Sequence, residues 1–280
     1  MERPALKRFF ERFATPLSFV VALGFWSLAA VLLHPSEEGG LVLLPGPAAV
    51  GTALFHLVVD DGFLYDVALS VLRIALGITL AAVPAFVLGI IFGIKPVLNT
   101  ATAPIFAFAK YVPPVAFIPI LILWLGIGLP QQLALLFIGT FFYLTVMITT
   151  TVANTPKTFN DAALTLGAKP RQLITKVIVR HGLPEFVEHL RTMLGIAWTY
   201  LVVVEMVAAE SGIGRVIINS QRYLETGKVL AGVLTIGLLG ILSDQLLQLI
   251  GWWLAAWRNT EPPLVARPFA SLVRSVRAAS

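Results

Sequence analysis

The chain has 280 residues, 58% of them hydrophobic and only 12% charged, against the roughly 25% charge usual in soluble domains, so the composition points to a protein embedded in a bilayer. Its length accommodates about six helical spans of about 20 residues with short connections and leaves no room for a large soluble domain. With no cysteine, disulfides, thiolate metal sites and cysteine nucleophiles are excluded, and the net charge of +5 has meaning through its placement along a membrane chain, not as a nucleic-acid signal.

The apolar runs predict an all-α polytopic protein with spans at about residues 16–33, 65–94, 104–127, 133–152, 186–209 and 229–257, each long enough to cross about 30 Å of hydrocarbon. The first run follows Arg3, Lys7, Arg8 and Arg12 in the manner of a signal peptide. No small-residue cleavage site precedes Glu37 and Glu38, so the run is expected to be a retained helix. After it, "LLPGPAAVGTALFHLVVDDG" sets Val50, Leu54 and Val58 at helical intervals behind Pro-Gly-Pro, which predicts a short interfacial helix.

Lysine and arginine collect on cytoplasmic flanks, and here they orient the chain. The N-terminal segment (1–15), the segment 154–191 that carries Lys157, Lys169, Arg171, Lys176, Arg180 and Arg191, and the tail (258–280) with Arg258, Arg267, Arg274 and Arg277 fall on one side of a six-span chain. Both termini are therefore expected in the cytoplasm. The loop 34–64 has no lysine or arginine but holds Glu37, Glu38, Asp60 and Asp61, as an outside loop should, whereas the outside loop 210–228 holds Arg215, Arg222 and Lys228.

Within the spans, each charge costs a few kcal/mol unless it is paired or hydrated. Arg73 in the second span and Glu205 in the fifth fall at similar depth in the outer half, and they are expected to pair across helices; a direct substrate or proton role is the alternative. Asp244 lies near the middle of the sixth span, either as a polar helix contact or because the span boundary is misplaced. The third span carries Pro113, Pro114 and Pro119 within seven residues, so it must be kinked and several carbonyls lose their helical donors. Freed carbonyls at membrane depth are tolerated mainly beside protein or a water-filled cavity. Lys110, Tyr111, Pro113, Pro114 and Trp124, with Tyr143, Trp198, Thr199 and Tyr200, are therefore candidate walls of a translocation path; the competing reading has these aromatics simply packing between helices.

The fourth and fifth spans are joined by the longest mixed-polarity passage, "DAALTLGAKPRQLITKVIVRHGLP", within a loop of about 154–185. Thr155 is a plausible N-cap with Pro156 at the first helical position, Gly167 is placed to end the helix in a left-handed conformation, and a second helix can start at Pro170. Phe159, Ala163 and Leu166 then share an apolar face. Such a face on a projecting element is suited to a partner protein, or it packs only on its own helix ends. No G-x-x-x-x-G-K-[ST] occurs, so the chain has no phosphate-binding loop of that kind; "SGIGRV" lacks the lysine and hydroxyl and is expected to be a turn in an outside re-entrant segment. A metal cluster of His181, Glu185, Glu188 and His189 is disfavoured because Gly182 and Pro184 interrupt the stretch, and no metal site is expected. An intramembrane serine protease would place histidine deep in a span, whereas all four histidines fall in predicted loops or interfaces.

The passage resembles the cytoplasmic signature loop of binding-protein-dependent ABC importer permeases, in which Glu-Ala-Ala is followed by a glycine four residues after the second alanine. Here Asp161 stands for the glutamate, Ala162 and Ala163 for the alanines and Gly167, followed by Ala168, for the glycine. "SVLRIALG", "YVPPVAFIPILILWLGIG", "LRTMLGIAW" and "VVVEMVAAESGIGRVI" are similar to recurrent segments of the nitrate, sulfonate, taurine and bicarbonate branch, and in order and spacing the resemblance covers about residues 43–257. Arg180 stands where the branch usually has proline and Lys169 where it commonly has serine.

The resemblance implies a type I importer fold in a bacterial inner membrane, two permease copies, and docking of each through Asp161, Ala162, Ala163, Gly167 and Ala168 onto a separate ATPase that holds ATP and Mg2+. It further implies an external solute-binding protein and a small hydrophilic, anionic or zwitterionic solute. No cofactor is expected on this chain. The rivals from other classes are an ion-gradient-driven secondary transporter, which often shows paired broken helices in two related halves, and a membrane scaffold subunit.

Overall fold

A computed structural model describes residues 4–33 and 43–254, with side chains from residue 17 onward. Among the described residues all regular structure is helical: α1 (Pro4–Leu32), α2 (Pro47–Val59), α3 (Phe63–Ile94), α4 (Pro96–Tyr111), α5 (Ile118–Leu125), α6 (Leu129–Ala153), α7 (Lys157–Thr165), α8 (Pro170–Gln172), α9 (Val179–Ala208), α10 (Ile213–Arg222) and α11 (Thr226–Leu254). The expected acidic pair Glu37–Glu38 and the basic tail residues lie outside the described residues.

Four rods are long and apolar enough to cross a membrane: α3, α6, the continuous Pro170–Ala208 and α11. A fifth span is broken, with α4 and the segment Pro114–Leu125 meeting at 83°. The apolar part of α1 within the described residues, Leu17–Leu32, is shorter; with it the count reaches the expected six.

The bundle is organised on a seam between α3 and α6. A Cβ placed on Gly77 would lie 2.5 Å from Leu136, one on Gly89 2.6 Å from Ile148 and one on Gly93 2.5 Å from Val152. The register is constant, so the two helices run parallel. Ala81 and Ala85, fully buried, continue the same four-residue spacing. Small residues let helix backbones approach closely in a bilayer, where dispersion and not water exclusion drives association.

Two apolar cores flank the seam. Ile74, Ile118, Leu121, Leu135, Leu201 and Val204 meet near the α10 end, while Phe141, Leu144, Ile148, Phe186 and Met193 meet near the α7 end. There Phe106 of α4 packs edge-on to Phe142 at 5.5 Å and Phe92 at 5.6 Å. The expected interfacial helix is α2, which buries Val50 and Leu57 against the α10–α11 side of the bundle.

Three expectations are corrected. The third span begins at Pro96, not residue 104, because Lys95 breaks the helix with φ −113° and ψ 89° and Pro96 takes the first helical position, where it loses nothing. Gly182 and Pro184 do not interrupt the approach to the fifth span, which is one rod from Pro170 with a π-helical turn at Leu173–Ile178. A Cβ on Gly182 would come within 3.1 Å of Thr151, so the glycine allows α9 to lie close on α6, and that packing offsets the hydrogen bond lost at Pro184. Thr155 does not cap α7: Pro156 occupies the cap position in an extended conformation, and Thr155 Oγ1 is buried without a hydrogen bond to any described residue. Arg191, counted with the cytoplasmic flank, lies within α9, where it meets Asp244 of the sixth span.

Candidate functional site

Near the α10 end, α3, α9 and the turn before α10 close around a buried polar clasp. Arg73 Nη1 donates to Glu205 Oε1 at 2.7 Å and to the Ser211 carbonyl at 2.7 Å, while Nη2 donates to Ser211 Oγ at 2.9 Å. Ser70 Oγ donates to Glu205 at 2.8 Å, and the Gly214 N–H donates to Glu205 Oε2 at 2.9 Å. The N–H of Ile213 donates to Ser70 Oγ at 3.0 Å, and the N–H of Gly212 to Asp66 Oδ1. Three backbone donors of the SGIG turn thus point at the chain's own side chains. A helix N-terminus is an anion site by its free N–H groups and dipole; at α10 it is filled from within by Glu205 and Asp66.

Glycine is required in this turn. Gly212 has φ +113° and any Cβ there would collide with Glu205 and the Arg73 guanidinium, and a Cβ on Gly214 would lie 2.6 Å from Cβ of Glu205. The Glu205 side chain is 1% exposed, so its charge is compensated by three kinds of donor at once and not by water.

At the break in the third span, the geometry follows from proline chemistry. Pro114 has no N–H, so the carbonyl of Lys110 loses its helical partner; the Tyr143 hydroxyl donates to it at 2.7 Å. The Lys110 ammonium lies 5.8 Å from the centre of the Tyr143 ring. Close by, a Cβ on Gly139 would lie 2.5 Å from the Tyr200 ring and 3.5 Å from Pro114, so Pro114, Tyr143 and Tyr200 gather on one side of α6.

At the opposite end of the rod from the clasp, α7 stands out of the bundle. None of its residues is buried. Phe159 and Leu164 are about half exposed and Leu166 is 88% exposed, while Phe159 keeps one ring contact with His181 of α9 at 5.3 Å. Gly167 has φ +78°. The Ala168 N–H bonds the Ala163 carbonyl at 3.0 Å and the Gly167 N–H bonds the Leu164 carbonyl at 2.9 Å, the paired pattern of a Schellman turn. The following helix opens with Gln172 accepting from the Lys169 N–H at 2.8 Å, a cap that the lysine side chain has no acceptor to supply.

The family model described as "binding-protein-dependent transport system inner membrane component" matches residues 85–275, which takes in the broken span, α6, α7 and the Glu205 and SGIG side of the clasp. The chain belongs to this family.

Relatives of this permease include a probable ABC transporter permease protein of Brucella abortus (strain 2308), 31% identical over 87% of this chain and 94% of its own length. The taurine transport system permease protein of Escherichia coli (strain K12) is 30% identical over 87% of this chain and 92% of its own length. Others carry the names of sulfonate, nitrate and bicarbonate permeases. A chain of the MetNI methionine ABC transporter, solved in inward-facing conformations, superposes with a TM-score of 0.54 at 20% identity, over 73% of this chain and 97% of its own; at that identity the likeness is one of fold.

Not all candidate path residues of the permease come together. Lys110, Tyr143 and Tyr200 are half-buried around the break; Tyr111, Pro113, Trp124 and Thr199 are exposed. Trp198 is separate: it is buried in the core, with its indole N–H on Ser243 of α11 at 3.1 Å. Asp244 forms a paired contact with Arg191, Nε to Oδ1 at 2.8 Å and Nη2 to Oδ2 at 2.9 Å, and Glu188 joins the same guanidinium at 2.7 Å. His189 meets Thr151 at 2.8 Å, while Glu188 of the same stretch meets Arg191.

The sequence reading missed Ser70, Asp66 and Ser211 of the clasp and the small-residue stripe of α3. For the stripe a signal existed, in small residues at 77, 81, 85, 89 and 93.

Proposed function

We propose that this permease is the membrane subunit of an ATP-driven importer for a small hydrophilic anion or zwitterion of the nitrate, sulfonate, taurine or bicarbonate kind. Two copies form the path, each α7 docks on a separate ATPase that binds ATP and Mg2+, and an external binding protein delivers the solute. The α7 end is cytoplasmic, since Lys157, Lys169, Arg171, Lys176 and Arg180 cluster there while Asp60, Asp61 and Asp66 lie toward the opposite end.

The observation that carries this reading is the exposed Phe159–Leu164–Leu166 surface of α7, held out of the bundle by the Gly167 turn in a chain of this family. ATPase closure moves α7, and the Pro170–Ala208 rod leads from α7 to Glu205 near its far end. At ~1.5 Å per residue that rod is about 58 Å long, so a tilt at the cytoplasmic end reaches the clasp on α10. Alternating access then consists of rocking this rod against the α3–α6 seam.

The test is a mild-detergent pull-down of the tagged permease from its native membrane, with mass spectrometry and an ATPase assay of the eluate. An ABC-type ATPase is expected to co-purify with the wild-type chain and to be lost or uncoupled in Gly167→Trp. A folded wild-type permease that brings down no ATPase would overturn the proposal.

A further inference from the structure

A cavity of about 340 Å³ lies between α4 and the second half of α6. It is a groove with a direction. Asn99 and Lys110, both on its α4 wall, are about eleven residues apart, or roughly 16 Å of helix at ~1.5 Å per residue. Asn154, the C-cap residue of α6, lies at the α7 end with Asn99, and Tyr143 marks the inner end with Lys110.

The lining is mostly apolar, crossed by a lane of polar side chains that carries one charge. Asn99, Thr102, Thr149, Thr150 and Asn154 face it with Lys110, and no aspartate or glutamate does. No carboxylate among the described residues lies within ion-pair distance of Lys110; its nearest compensation is the face of the Tyr143 ring. The more buried cations Arg73 and Arg191 are both engaged by carboxylates, Arg73 in the clasp and Arg191 by Asp244 and Glu188. An ammonium on a membrane span that meets no carboxylate among the described residues marks a functional site.

The hydrogen-bonding groups suit an anion. The side-chain amides of Asn99 and Asn154 make no hydrogen bond to any described residue and each offers two N–H donors. The threonines currently donate to their own helix, Thr102 to Leu98 at 2.8 Å, Thr149 to Thr145 at 2.8 Å and Thr150 to Val146 at 3.0 Å, and a hydroxyl rotation turns each into a donor for a passing oxyanion. A cation in the same groove would meet Lys110 with no carboxylate to offset the repulsion.

The geometry points to this groove as an anion site of the permease itself, with Lys110 as the charge that selects a small monoanionic oxyanion or sulfonate at its inner end and the Asn–Thr lane as its aqueous exit toward the α7 end. The inference rests on the importer reading for the direction of passage, but binding itself needs neither the ATPase nor the binding protein. Charge discrimination is thereby shared by the membrane subunit and not left to an external protein.

Calorimetric titration of the purified permease with sodium methanesulfonate and sodium nitrate, at fixed ionic strength in nanodiscs of zwitterionic lipid, tests it. Saturable binding is expected, at least tenfold weaker in Lys110→Gln and within a few-fold of wild type in Lys110→Arg. Equal affinity in Lys110→Gln, or no saturable binding by folded wild-type chain, would overturn the site. The same titration with added phosphatidylglycerol separates a solute from a lipid headgroup: loss of binding in proportion to that lipid would assign the groove to the headgroup and overturn the inference. A chain that binds the anion through Lys110 yet captures no ATPase would sink the importer reading alone.

Discussion

Glu205 of α9 is held by donors from α3 and α10 at once, so its removal leaves Arg73 buried without its carboxylate. Breaking a buried ion pair from one side costs about 3–5 kcal/mol. Glu205→Ala is expected to lower the thermal unfolding midpoint of the purified permease markedly, and the double replacement Arg73→Met with Glu205→Leu to recover part of that loss; a single variant as stable as wild type would show that the clasp is not structural. The pair itself was legible, because two opposite charges at matching depth stand out in an apolar chain. Ser70 and the N–H groups of the SGIG turn were not, since a serine and a backbone amide look the same in a sequence whether or not they hold a carboxylate. Tyr143 belongs to the same scale. Tyr143→Phe leaves the Lys110 carbonyl without a donor, and a buried unsatisfied group costs about 1–3 kcal/mol; a lowered unfolding midpoint is expected, and an unchanged one would mean that water or a shift of the break replaces the hydroxyl.

Helices are the scale at which sequence and structure differ most. The third span's break was legible because Pro113 and Pro114 remove two adjacent donors, yet its start was not, because nothing in composition separates Pro96 from Pro104 as a helix opener. The fifth span's expected interruption at Gly182 and Pro184 came from local propensity, which tertiary packing of α9 on α6 overrides. The α3–α6 seam predicts a sharp asymmetry among glycines. Gly89→Leu, whose Cβ would already lie 2.6 Å from Ile148, is expected to abolish recovery of folded permease, whereas Gly237→Leu, with nothing within 4 Å of its Cβ, is expected to leave it intact; comparable size-exclusion profiles for both would contradict the seam. At Gly167 the obstacle is backbone alone, since nothing lies within 4 Å of a Cβ there but φ is +78°. Gly167→Ala costs about 1–2 kcal/mol locally, so the permease is expected to fold normally while its α7 turn shifts and its ATPase capture weakens.

For the whole molecule, the membrane class followed from composition and the family from motifs spread over most of the chain. The partners were legible only through that resemblance, because α7 shows an exposed apolar surface and not what covers it. The solute was still less so, since the groove at Lys110 states a charge preference and not a molecule. The central claim is that a partner's ATP hydrolysis drives inward passage through this permease. Its most direct test is uptake of labelled taurine or nitrate by vesicles that contain the co-purified complex, with ATP enclosed and the binding protein outside. Accumulation that requires enclosed ATP, survives collapse of ion gradients and is lost in Gly167→Trp is the result predicted. Accumulation that proceeds without ATP and collapses with an ion gradient would contradict it and make this chain a secondary transporter.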